Sequence, residues 1–136
     1  MSVMTDSRPV FALELRAVDN ISPRRARHWL AWVLELAGVP QETVDTALLA
    51  CSELVTNAVV HSDSPRVLVS AELVETGVRL TVHDDQPATG WQPSGGVSDE
   101  RGRGLILVRA LAADLGINVH PRGTTVTCLI PAGTGQ

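Results

Sequence analysis

Glu53 and Asn57 stand four residues apart in Glu53-Leu54-Val55-Thr56-Asn57-Ala58-Val59-Val60-His61. A carboxylate one helical turn from a carboxamide supplies a proton acceptor and an amide oxygen on one line. That pair suits general-base chemistry and a hard cation such as Mg²⁺, which takes few protein ligands and completes its shell with phosphates and water. Advancing about 100° per residue from Val44 gathers Val44, Ala47, Leu48, Cys51, Val55, Ala58 and Val59 into one apolar stripe. Glu53 and Asn57 fall roughly opposite that stripe, with the small residues Thr46 and Ala50 near their line. The stripe predicts a core face, and the pair's line is either a site or an ordinary solvated face.

Three later segments carry further chemistry. Val82-His83-Asp84-Asp85 closes a strand pattern. A carboxylate leaving a sheet there can accept a hydrogen bond from an exocyclic amine, although Asp-Asp at a strand end is also a common solvated turn. Arg101-Gly102-Arg103-Gly104-Leu105 ends a glycine-rich stretch and opens a helical pattern. Glycines admit a phosphate close to the backbone, a helix N-terminus offers unpaired N–H groups, and arginines add bidentate donors. The plain alternative is a flexible helix entry. Gly123-Thr124-Thr125-Val126 places hydroxyls at a turn, for a nucleotide or for the turn itself. Each segment alone says little, but their succession is hard to obtain by chance.

The elements that must position these groups follow from periodicity and punctuation. Pro9 to Ala17 alternates as an edge strand with Pro at its start. Ser22-Pro23 opens a helix that runs to about Ala37 and stops at Gly38, with Pro40 beyond. Trp29 and Trp32 within it are read as packing residues, with the subunit interface of a homodimer as the alternative. A second helix runs from about Gln41 to His61-Ser62 and breaks at Ser64-Pro65. Arg66 to Val74 and Val78 to His83 form a hairpin around Glu75-Thr76-Gly77. Residues 85–101 have Gly and Pro and no period, so they are expected to be a mobile loop that closes on a ligand, with Trp91 as its one large aromatic residue. A third helix is predicted from about Gly104 to Asp114. Gly116 to His120 and Thr124 to Ile130 form a second hairpin around Pro121-Arg122-Gly123. The order β-α-α-β-β-loop-α-β-β predicts an α+β two-layer sandwich, a mainly antiparallel sheet with helices on one face.

The chain of 136 residues, 44% hydrophobic, is long enough for one domain with a real core, from about residue 10 to 130. No apolar run reaches membrane-spanning length and no signal-peptide pattern opens the chain, so the expected place is the cytoplasm, off the membrane. A net charge of −4 argues against direct nucleic-acid binding. All 11 basic residues are Arg, which excludes a Walker-type phosphate lysine and lysine-base chemistry. Cys51 and Cys128 have no ligand spacing and read as small buried hydrophobes.

The succession of motifs resembles the Bergerat-fold (GHKL) ATPases, the group of gyrase, Hsp90, histidine kinases and MutL. It is most similar to the small single-domain branch of actinobacterial anti-sigma factor serine/threonine kinases, over about Val10 to Ile130. Ser52-Glu53-Leu54-Val55-Thr56-Asn57-Ala58 followed by His61 is the most specific piece of that resemblance. The resemblance implies ATP and Mg²⁺ as cofactors. Asn57 would bind the metal, Glu53 would act as general base or orient the nucleophile, and Asp84 would hold the adenine amine. Arg101, Gly102, Arg103, Gly104 and Leu105 would lie under the phosphates, and Thr125 would sit near the adenine. It also implies protein partners, a sigma factor or a small antagonist phosphorylated on Ser or Thr. The alternative is a non-catalytic nucleotide-sensing interaction module. Gln86 stands where the family usually carries Gly, and Ile106 where a third Gly of the glycine box would be; both bear on ATP turnover more than on the fold.

Overall fold

A computed structural model describes residues 9–16, 22–60, 66–85 and 108–132. Its elements are β1 (Val10–Arg16), α1 (Ser22–Leu36), α2 (Gln41–Val60), β2 (Arg66–Val74), β3 (Gly77–Asp84), β4 (Asp114–His120) and β5 (Gly123–Pro131). The strands form one antiparallel sheet in the order β1-β2-β3-β5-β4. β1 lies at one edge, where Pro9 costs no ladder bond. β4 lies at the other.

Alternation along each strand separates two faces. Leu15, Val67, Val69, Ala71, Val78, Leu80, Val82, Cys128 and Ile130 are buried on the side that carries α1 and α2. They meet Leu30 and Leu34 of α1 and Val44, Cys51 and Val55 of α2 in one cluster. Burying a leucine such as Leu80, which is 0% exposed, stabilises the fold by about 1.5–3 kcal/mol relative to exposure. Glu14, Ser70, Thr81, His83, Thr125 and Thr127 belong to the opposite face, which no described element covers.

Local chemistry sets the ends. α1 stops in a Schellman arrangement: Val39 N–H donates to Leu34 C=O at 3.0 Å and Gly38 N–H to Glu35 C=O at 3.1 Å. Gly38 sits there at φ 80°, a conformation that costs other residues about 1–2 kcal/mol. The Ser22 hydroxyl, expected to cap α1, donates instead to the Arg16 carbonyl at 3.1 Å and ties the helix start to the end of β1. Both hairpins turn on glycine. At Gly77 a Cβ would run into the Ile130 carbonyl, so β5 passes too closely for any side chain.

Four expectations need correction. Ala50, placed near the exposed line of α2, is fully buried, and Leu54 joins the core although it lies off the predicted stripe. α2 is therefore buried on a second flank, in the cluster that also holds Val108, and a single-stripe reading misses that. Trp29 packs partly against the core, but Trp32 is 63% exposed and Leu36 beside it on the same helix face is 70% exposed. The third helix was expected to reach Asp114. Helical residues end at 111, and Asp114 opens β4, because pairing with Leu129 on β5 captures the chain first. The remaining strand ends move by a residue or two, as ladder pairing decides them. Residues 86–107, and with them the expected loop and Trp91, lie outside the described residues.

Cys51 and Cys128 are free and buried, one on α2 and one on β5. Burial pushes the Cys51 thiol up to about 12, with the neighbouring Cys128 adding and Arg27 opposing. Burial alone pushes Cys128 up to about 12.

Candidate nucleotide site

α2 carries the first part of the site. Its core residues pin the helix, and Glu53 and Asn57 lie on one flank a turn apart, both partly buried. Arg27 of α1 donates to the Ser52 hydroxyl at 3.3 Å, fixing α1 to α2 at the residue before Glu53. Among the described residues, Asn57 Nδ2 is a side-chain polar atom sealed from solvent without a hydrogen-bond partner. Leaving such a donor unpaired costs about 1–3 kcal/mol, and native proteins keep few of them. A phosphate group with its cation answers that defect, since the carboxamide offers a donor to a phosphate oxygen and an oxygen to the metal. No cluster of three or more His, Cys, Asp or Glu able to hold a metal occurs among the described residues.

The end of β3 carries the second part. Asp84 is the last residue of the strand and shares the helix-side parity of Leu80 and Val82, so its carboxylate belongs to the face on which α2 lies. Its partner across the ladder is Thr124, buried at the start of β5. Thr125, the hydroxyl expected beside the adenine, is on the other face. Its Oγ1 lies 2.8 Å from His83 Nδ1. By register, Thr124 shares the face of Asp84 and Thr125 shares that of His83.

Behind Asp84, on the outer face, a chain of polar contacts crosses four strands. His83 Nε2 lies 3.2 Å from Asp85 Oδ1, and Arg66 Nε donates to Asp85 Oδ2 at 2.9 Å. Arg66 Nη1 stands 3.8 Å from Glu14 Oε2. The Arg66 guanidinium holds the Asp85 carboxyl below the usual carboxylate range, with His83 contributing in the same direction. A carboxylate only accepts, so the Nε2 that faces Asp85 carries a proton, and the partner of the Thr125 hydroxyl is Nδ1. Sequence reasoning named the Thr124 and Thr125 hydroxyls together without separating their faces, and it missed this network. The His-x-Asp spacing at a strand end was the available signal for His83 and Asp85, but Arg66 is nineteen residues from Asp85 in the chain. The glycine box, Arg101, Gly102, Arg103, Gly104 and Leu105, lies outside the described residues.

Residues 17–130 match the family described as histidine kinase-like ATPase domain. The chain belongs to that family. Its five-stranded antiparallel sheet with helices on one face is the GHKL ATPase fold, and one solved neighbour, which carries an RsbW domain, fits the anti-sigma kinase-like members of that group. The RsbU and RsbW domains of Rv1364c from Mycobacterium tuberculosis share 26% identity with a TM-score of 0.69, over 90% of this chain and 32% of that one. The blue-light activated histidine kinase EL346 of Erythrobacter litoralis shares 30% identity with a TM-score of 0.57, over 71% of this chain and 33% of that one. The histidine kinase domain of the same protein gives 31%, 0.53, 69% and 46%. The chain therefore spans less than half the length of each of these solved structures. No curated protein matches it. As a histidine kinase-like ATPase domain it is an ATP-binding, kinase-like module. No described helix is long and apolar enough to cross a membrane.

Proposed function

We propose that this protein is an anti-sigma factor type serine/threonine kinase that transfers the γ-phosphoryl group of ATP to a small antagonist protein. The observation that carries the reading is the sealed, unpartnered Asn57 amide one helical turn from Glu53. A module that only bound nucleotide would need Asn57 but has no use for the carboxylate beside it. Asn57 would hold Mg²⁺ and a phosphate oxygen. Asp84 would accept the adenine amine, with the Thr124 hydroxyl alongside. Gly102, Gly104 and Leu105 would give backbone N–H groups to the phosphates, and Arg101 and Arg103 would add cationic donors. Mg²⁺ supplies neutralisation of the charge that develops on the phosphates. Glu53 takes the proton of the antagonist's Ser or Thr hydroxyl, that oxygen forms the new bond to the γ-phosphorus, and the bond to the bridging oxygen breaks to release ADP.

The RsbW domain of the Mycobacterium tuberculosis neighbour supports a protein partner; on the kinase reading that partner is a sigma factor or antagonist, met in the cytoplasm without direct nucleic-acid contact. A thermal shift with and without Mg-ATP tests binding, because a ligand of the native state raises stability by mass action. Transfer of label from ATP to candidate antagonists tests chemistry. Glu53→Gln should keep the shift and lose transfer by about 10²–10⁴-fold, as for removal of a positioned general base. Binding without transfer by the wild type on every candidate antagonist would instead mark a nucleotide-sensing interaction module.

A further inference from the structure

The polar chain on the outer face of the sheet has no part in the chemistry above, yet it converges on the residues around Asp84. His83 precedes Asp84 and Asp85 follows it. The His83 ring joins the two from outside, with Nε2 on Asp85 Oδ1 at 3.2 Å, and its Nδ1 reaches across the ladder to Thr125 Oγ1 at 2.8 Å. Thr125 in turn follows Thr124, the register partner of Asp84. Gly123, before Thr124, passes so closely that a Cβ there would run into the Asp84 carbonyl and would lie 2.9 Å from His83 Cε1. Arg66 anchors the far side of Asp85 to β2, with Glu14 of β1 behind it. Every chain neighbour of the Asp84–Thr124 pair is thus pinned from the face opposite the site. Elsewhere on the described part of that face the side-chain contacts are isolated pairs, Thr81 with Thr127 at 3.4 Å and Arg79 with Glu72 at 3.0 Å.

The location matters because strand ends open most readily. Asp84 is the terminal residue of β3, and a carboxylate that must meet an amine within hydrogen-bonding distance tolerates little drift. Exposed ion pairs such as Arg66 with Asp85 stabilise weakly by themselves. Here Asp85 is held through both oxygens, and His83 is only 24% exposed, so the contacts restrict position more than they add stability.

We propose that His83 is a positioning residue for adenine recognition: by bonding Asp85 and Thr125 on the outer face, it fixes the end of β3 so that Asp84 meets the exocyclic amine of adenine on the inner face. The assignment rests on the ATP reading of the site. It predicts selectivity for the amine rather than general nucleotide affinity, because the phosphate-binding groups lie on other segments.

The test compares ATP with purine riboside triphosphate, which lacks the amine, in calorimetric titrations with Mg²⁺. Wild type should favour ATP. His83→Ala should weaken ATP about tenfold, the value of one well-placed hydrogen bond to a charged group, and leave the analogue within about twofold of its wild-type affinity. Thr125→Val, close in size and suited to a strand, should act in the same direction if His83→Ala fails to fold. His83→Asn, which keeps a polar atom near the place of Nδ1, should restore part of the loss. Equal weakening of both nucleotides in Thr125→Val, or no change in selectivity in either variant, would overturn the positioning role while leaving the ATP reading in place. A wild type that binds neither nucleotide would overturn both.

Discussion

The two flanks of α2 are made from the same helix and hold opposite kinds of surface. On one, Val44, Ala47, Cys51 and Val55 are completely buried and Leu54 nearly so, all apolar and packed into one cluster. On the other, Asn57 holds a sealed amide donor with nothing to accept it, next to the partly buried Glu53. The first flank contributes stability. The second gives some up, at a place where a bound group would restore it. A helix can therefore be rigid because of its core side and incomplete on the other, and the proposed site rests on that incompleteness.

Substitutions along α2 separate the flanks. The largest effect is expected in the core: Leu54→Ala should cost about 2–5 kcal/mol in denaturant unfolding, and the remaining folded protein should bind ATP as wild type does. A loss of affinity in that folded fraction would mean that the flanks are not independent. Asn57→Ala should do the reverse. It removes the unpaired donor, so the ligand-free protein should hold its stability or gain about 1 kcal/mol, while the stabilisation by Mg-ATP disappears. Marked destabilisation without ligand would show that Asn57 has a structural partner and would break the comparison. The smallest effect belongs to the outer face of the sheet. Asp85 titrates below its ordinary value in the folded protein. Its contribution to stability is therefore complete above the unfolded-state pKa of about 4 and is lost as the pH falls through the lower folded value. Asp85→Asn should lower stability slightly at neutrality and flatten the acid limb of the stability–pH curve, so that the two curves converge below about pH 4. An unaltered acid limb would show that the Arg66 contact is too exposed to matter.

What could be read from the sequence depended on how local its determinants are. The α2 stripe, the Gly38 stop and both glycine hairpins are set by residues within a turn or two of one another, and periodicity exposes them. Ala50 and Leu54 were misjudged because their burial comes from a second neighbour of the helix, and helix periodicity carries no information about how many neighbours pack against it. Thr124 and Thr125 could not be ranked from Gly-Thr-Thr alone. A shift of one residue in the turn exchanges the faces of the two hydroxyls, and only the pairing of Asp84 with Thr124 decides it. The Glu14–Arg66–Asp85–His83–Thr125 chain draws on four strands and has no local signature beyond His83 and Asp85. The glycine box was legible as a motif, but its residues lie outside those the structure describes.

The two free thiols have a practical consequence. Because Cys51 and Cys128 are sealed in the core and both titrate near 12, almost none of either is present as the reactive thiolate at neutral pH. An alkylating reagent can reach them only when the helix layer parts from the sheet. Labelling of the intact protein, followed by mass, would then report how often that opening occurs. Since native-state ligands suppress opening in proportion to their affinity, slower labelling in the presence of a nucleotide would measure binding with no dye, tag or engineered residue, and both cysteines should be protected together.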